Sequence, residues 1–295
     1  MSETTPSTSL QNLSAALTEV VADVASSIVA VHSRGSRSSG FVWRPGLIVT
    51  ADEALAEEGE IVAVMEGGET APATLVGRDP STDIALLRIS GASLKPVSLE
   101  GPSIAAGALA LAIGSQEGAP VVGLGVVSFA GPAWRSLRGG EIDARLELAL
   151  SLRRHAEGGL AVDASGRAFG MTVFGPRRRV LIIPAATIER VVAKLETHGR
   201  IARGYLGLGL QPVRLDADKG VGVMVMSVDK DGPGAAAGVH QGDVIIALDE
   251  QPARHVRSLL RALGPDSVGT TVALALIRAG APVEVRLTIG ERPQT

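Results

Sequence analysis

Cysteine is absent from the 295 residues. That excludes disulfides, a thiolate nucleophile and cysteine-ligated zinc or iron–sulfur centres. Aromatic residues are nearly as scarce, with one Tyr, two Trp and four Phe, so the cores must be built from Val, Leu, Ile and Ala. No run of about 18 apolar residues without charges occurs, which argues against a membrane-spanning helix. A charge excess is missing too: 28 basic residues stand against 31 acidic ones, for a formal net charge of -3. This gives no electrostatic footprint for nucleic acid. The N-terminus, MSETTPSTSLQNLSAAL, has neither a basic n-region nor a continuous apolar h-region, so no export signal is read there and the expected compartment is the cytoplasm.

What the chain does contain is glycine, 36 residues of it, set between short β-branched runs. Residues 1–9 are rich in Ser, Thr and Pro and read as a disordered lead. Leu13, Leu17, Val20, Val21 and Val24 then recur at helical spacing. Beyond them, SIVAVHS, GLIVTA, DIALLRI, LALAIG, VVGLGVVSFAG and RRRVLIIPA follow one another about every ten residues, the pattern of an all-β barrel or sandwich. A helix is expected over Ala185–His198, with Ile188, Val191, Val192 and Leu195 on one face and Gly199 closing it. From Tyr205 a smaller α/β module begins, with a helix near Arg254–Leu263. The expected domains are therefore a β-rich one with an N-terminal helix over residues 10–199 and a second one over residues 200–295.

Three stretches of the β-rich part carry chemistry: GLIVTADEAL from Gly46, GRDPSTDIALLRI from Gly77, and SLRRHAEGGLAVD from Ser151. With SSGFVW, GVVSFAG, IPAATIERVVAKLETHGRIARGYLGLGL and AAGVHQGDVIIALDEQPA, they make the chain resemble the HtrA/DegP family of serine proteases from about residue 10 to residue 290. The resemblance implies a mainly β fold: a trypsin-like double β-barrel followed by a small α/β PDZ domain.

It also implies where a triad would stand. The family's Thr-Asn-x-His-Val aligns with Thr50-Ala51-Asp52-Glu53-Ala54, so glutamate replaces the general base. The aspartate of the triad falls on Asp83. The nucleophile pattern Gly-Asn-Ser-Gly-Gly-Pro-Leu aligns with His155-Ala156-Glu157-Gly158-Gly159-Leu160-Ala161, so Glu157 replaces serine and His155 replaces a glycine of the oxyanion hole. A carboxylate is a poor acyl nucleophile, and no histidine stands at the aligned base position to move the proton, the remaining histidines His32, His198, His240 and His255 falling outside these motifs. No catalytic residue set is intact, and the expectation is a pseudoprotease. The alternative is an endopeptidase of the family, or a peptidase with an atypical site.

Three carboxylates at triad spacing cannot all ionise cheaply. Relief by Arg153, Arg154, His155 or escape of a side chain to solvent is one outcome. A shared proton or ordered water is a second, and a hard-cation site is a third, although no metal or other cofactor is expected. In the second module, Tyr205, Leu206, Gly207 and Leu208 match the position of the family's carboxylate-binding loop. The helix bearing His255 and Leu259 would line the peptide groove. The expected partners are peptide C-termini or unfolded polypeptide, with self-assembly or assembly with an active homologue implied by the resemblance. Nucleic acid and a membrane span are not expected. The PRRRV run from Pro176 reads as a solvated hairpin turn before it reads as an anion patch. Asp79, beside Pro80, reads as a turn former.

Overall fold

The computed structural model describes residues 6–91, 94–101, 104–215, 220–264 and 267–293. Part of the expected lead is helical. Helix α1 spans Pro6–Ala25, so residues 6–9 belong to it, and only residues 1–5 of the lead lie outside the described residues. Proline suits a helix's first turn, where its missing N–H costs no hydrogen bond. The chain forms two compact units, one of residues 1–134 and 141–200 and one of residues 135–140 and 201–295. No described helix is long and apolar enough to cross a membrane.

The first unit contains two closed six-stranded barrels. Strands β1 (Ile28–Ser33), β2 (Ser36–Arg44), β3 (Leu47–Thr50), β4 (Ile61–Val64), β5 (Thr70–Asp79) and β6 (Ile84–Ile89) close in the order β1-β2-β3-β6-β5-β4. The second barrel uses β7 (Leu109–Gln116), β8 (Ala119–Gly131), β9 (Arg145–Ala149), β10 (Leu160–Asp163), β11 (Ala168–Phe174) and β12 (Val180–Pro184), in the order β9-β12-β11-β10-β7-β8. Closure removes free strand edges. It also lets apolar residues fill each interior: Val29, Ile48 and Leu87 in the first barrel, Ala112, Leu148 and Phe169 in the second. Burying each larger side chain contributes about 1.5–3 kcal/mol. Helix α2 (Ala185–His198) buries Ile188, Val191, Val192 and Leu195, the stripe its sequence shows. It ends on Gly199 at φ 70°, whose N–H donates to the Leu195 carbonyl.

The second unit is built on a sheet whose main path runs β13 (Leu208–Arg214), β14 (Val221–Val228), β15 (Val244–Leu248), β16 (Thr271–Arg278), β17 (Ala281–Thr288), in that order. Helices α3 (Pro233–Ala236) and α4 (Val256–Ala262) accompany it. Its core, with Val225, Ile245, Leu259 and Leu274, is separate from those of the barrels. Strand β13 stands at the sheet's edge, paired only with β14 along that path.

Candidate functional site

The loop between β9 and β10 folds as a 3₁₀ turn over Arg154–Ala156, and Glu157 follows it. The two glycines after Glu157 are explained by what surrounds them. Gly158 has φ +83°, and a β-carbon there would lie 2.3 Å from the Ser39 carbonyl oxygen. One at Gly159 would lie 2.3 Å from that of Ile113. Only glycine lets this loop press so closely onto β2 and β7. The loop is then tied down: Ser39 N–H donates to the Glu157 carbonyl at 2.8 Å and Gly158 N–H to that of Thr172 at 2.8 Å. The Ser39 hydroxyl donates to the His155 carbonyl.

Glu157 does not escape to solvent. Its residue is only 8% exposed, and its Oε1 accepts the backbone N–H of Phe174, at the end of β11, at 3.3 Å. Its own N–H, the donor that an oxyanion hole would need from this position, instead donates to the Arg154 carbonyl at 3.2 Å. That donor is thus held inside the 3₁₀ turn rather than aimed at a developing oxyanion.

Asp83 comes from the turn between β5 and β6, which Asp79 organises. The buried Asp79 carboxylate accepts from Ser81 N–H at 3.0 Å and from the hydroxyls of Ser81 and Thr82, so the expected turn role is what it has. Asp83 leaves that turn at φ 60°, and its Oδ1 accepts the Glu53 N–H at 2.7 Å. The segment carrying Glu53 is anchored from below. Arg78 Nε donates to the buried Asp52 carboxylate, and Arg78 Nη2 donates to the carbonyls of Asp52 and Leu55, both at 3.3 Å. Glu53 itself is exposed. Glu53 and Glu157 line one cleft of about 740 Å³, together with His32, Arg37, Arg154 and His155.

The electrostatics follow from that packing. Burial pushes the Asp83 carboxyl up to about 8. The Glu53 N–H pulls it back down, and the carboxylates of Glu53, Glu157 and Asp52 push it higher. Burial also raises Glu157; the Phe174 N–H opposes the rise, Glu53 adds to it, and Arg154 and Arg178 oppose it. Among the described residues no group of three or more His, Asp or Glu is arranged to hold a metal ion, so the hard-cation outcome finds no ligand set. The structure therefore sets Glu53 and Glu157 on one cleft with Asp83 against the Glu53 N–H; burial raises Asp83 and Glu157, and Arg154 and Arg178 oppose the rise at Glu157. Arg154 is one of the residues the sequence suggests for this. Arg178 is not, and its signal lay in the PRRRV run.

In the second unit, the carbonyls of Leu206 and Gly207 accept from Gly234 N–H at 2.7 Å and Asp229 N–H at 2.9 Å. Because a trans peptide points its N–H opposite its C=O, the N–H groups of Gly207 and Leu208 face away from those partners. Gly207 reaches this geometry with φ +70°. Leu206 and Leu259 are buried in the module's core, and the Tyr205 hydroxyl donates to Asp229. Helix α4 is shorter than expected, starting at Val256, because His255 is its N-cap. Its Nδ1 accepts Ser258 N–H at 3.0 Å, so this ring nitrogen is turned onto its own helix.

Two closed barrels with a triad-like cleft, followed by a small sheet with an edge strand and a glycine loop, define a trypsin-like fold joined to a PDZ domain. Residues 38–171 match the family described as trypsin-like peptidase domain, and residues 204–289 match the PDZ domain. The chain is 30% identical over 275 residues to a probable periplasmic serine endoprotease DegP-like of Brucella suis, covering 88% of this chain and 53% of that protein. It is 31% identical over 274 residues to the one of Pseudomonas fluorescens, covering 88% and 57%. Among solved structures, the serine endoprotease from Yersinia pestis superposes with a TM-score of 0.70 at 28% identity, covering 94% of this chain and 98% of that one. The HtrA-type protease AlgW with tripeptide gives 0.66 at 25% identity, covering 94% and 98%. The chain belongs to the HtrA family. It spans about half the length of the curated relatives it matches.

One expectation is overturned by these relatives. They are named periplasmic, which points away from the cytoplasm. Compartment is not written in the composition of the folded domains, and the missing leader pattern at residue 1 carried no weight against it.

Proposed function

We propose that this chain is a pseudoprotease of the HtrA family, working in the periplasm as an adaptor, regulator or chaperone-like protein. In this reading residues 10–199 are the trypsin-like scaffold. Residues 200–295 are a PDZ domain that takes peptide C-termini or unfolded polypeptide. One observation carries the proposal: at the position where the family places its serine stands a buried glutamate whose N–H is spent on the Arg154 carbonyl. Nucleophile and oxyanion donor are thus lost together, and Glu53 stands where the base would be. Removing such members of a triad costs about a million-fold in rate.

Peptide binding is supported by the edge strand β13, which leaves a sheet edge for an added strand. The outward N–H groups of Gly207 and Leu208 are suited to a terminal carboxylate. A related HtrA-type protease was solved with a tripeptide bound. Assembly, with a second copy or with an active homologue, belongs to the same proposal and is read by sedimentation.

The test is hydrolysis of unfolded fluorescent casein by the wild type beside a Glu53→His, Glu157→Ser double variant. A silent wild type is expected, and any activity in the double variant would mark the barrel as a scaffold whose chemistry was removed. Turnover by the wild type would overturn the proposal.

A further inference from the structure

The mouth of the cleft carries charge that neither the triad positions nor the PDZ groove uses. Arg153 and Arg154 are exposed on the turn before Glu157, and Arg177 and Arg178 are exposed on the Pro176–Arg178 turn between β11 and β12. The second turn follows Phe174, whose N–H binds Glu157, and Arg154, which lines the cleft, and Arg178 both act on that carboxyl. Arg37 and His32, on another wall of the cleft, are already engaged with Glu117. Arg179, next along, pairs with Glu147 at 3.5 Å. None of the four rim arginines lies within ion-pair distance of a described carboxylate.

Two features show a rim that is built rather than merely solvated. Arg177 and Arg178 stand consecutively in the left-handed region, at φ 59° and 58°, a conformation that side chains with a β-carbon rarely adopt and that glycine would take without strain. Arg178 is also held, with its guanidinium 5.1 Å from the centre of the Phe174 ring. Phe174 is the residue whose N–H binds Glu157. The carboxylates of the cleft do not cancel the rim: four exposed arginines stand against Glu53 and Glu157, while burial pushes Asp83 up to about 8 and raises Glu157 as well. The mouth therefore presents a net positive field.

We propose that this arginine rim is a binding site for acidic stretches of extended polypeptide, a contact separate from the PDZ groove. A net charge of -3 gives no electrostatic footprint for a nucleic acid backbone, and this favours the carboxylate side chains of a polypeptide as the anions at the rim. The site does not depend on the PDZ reading.

The experiment is fluorescence anisotropy with a labelled peptide of alternating Glu and Gly, amidated at its C-terminus so that no terminal carboxylate is offered to the PDZ loop. Binding is expected at low salt, and raising salt from about 0.05 to 0.5 M should weaken it at least tenfold as the Debye length shortens. An Arg154→Gln, Arg178→Asn double variant should bind about tenfold more weakly, the loss of two exposed charge contacts, with an unchanged thermal transition. Asparagine tolerates the left-handed φ of position 178. An Arg286→Gln control, on β17, should bind like the wild type, and a Lys–Gly peptide should not bind. Equal affinity of the wild type and the double variant would overturn the proposal. So would equally tight binding of a single-stranded oligonucleotide, which would mark a general polyanion surface. Mass spectrometry of the recovered peptide keeps the two readings apart: cleavage counts against the non-catalytic proposal, while the arginine dependence decides the rim.

Discussion

At the scale of single residues, Asp83 is the most informative side chain. Folding raises its carboxyl from 3.8 to about 8, chiefly through burial. A raised acid binds its proton more tightly in the folded state, so its contribution is fully present below about pH 4 and is lost as pH rises towards 8. Asp83→Asn should isolate this. The amide oxygen can still accept the Glu53 N–H, and asparagine tolerates the φ of 60°. The variant's gain over wild type should grow from nothing near pH 4 to several kcal/mol at pH 8. Thermal denaturation across that range reads it, and a gain independent of pH would show that the carboxyl is not held protonated. That Asp83 and Glu157 would meet was legible from the family's triad spacing. That Glu157 would turn inward was not, because the N–H it binds belongs to Phe174, 17 residues on and beyond an intervening strand.

At the scale of elements, the segment over Ala51–Leu55 depends on a neighbour outside itself. Arg78 sits on β5, yet its guanidinium holds both the buried Asp52 carboxylate and the carbonyls that shape the turn. Arg78→Ala would leave a carboxylate at 6% exposure without its cation, and breaking a buried pair from one side costs about 3–5 kcal/mol. Urea denaturation should show a loss of that order, and Arg78→Lys should restore only part of it, since an ammonium cannot span three acceptors in the same fork. A loss below about 1 kcal/mol would place Asp52 in water, where such pairs contribute little. Legibility at this scale followed locality. Helix α2 was readable as a four-residue stripe closed by Gly199. The start of α1 was not, since Ser, Thr and Pro in a first turn look the same as a lead. The closing pairs of the barrels, β1 with β4 and β8 with β9, join residues far apart in sequence, and no short window contains them.

At the scale of the whole molecule, the two proposals together give the chain two separable peptide contacts, an arginine rim on the barrel and a carboxylate loop on the PDZ sheet. The order of strands was enough to expect both units, but not which side chains would serve each. His255, expected in the groove, caps its own helix, and Arg178, expected in a solvated turn before an anion patch, acts electrostatically on Glu157. The two contacts predict opposite responses to substitution. A peptide with an apolar last residue and a free carboxylate should be held by the loop at Gly207. A methyl group there would lie 2.9 Å from the Gly232 Cα, at a φ of +70° that only glycine takes freely. Gly207→Ala should therefore shift the loop and weaken that peptide about tenfold, the effect of one or two misplaced hydrogen bonds. Leu259→Ala, emptying a core position beneath α4, should cost the PDZ unit about 2–5 kcal/mol of stability and weaken the same peptide. The Arg154→Gln, Arg178→Asn variant should bind it like wild type, because its contacts lie on the other unit. Calorimetric titration of the three variants reads all of this in one series. If the arginine variant lost the free-carboxylate peptide while Gly207→Ala kept it, the peptide would be held on the barrel, and the PDZ domain would have to be explained as something other than a carboxylate-binding module.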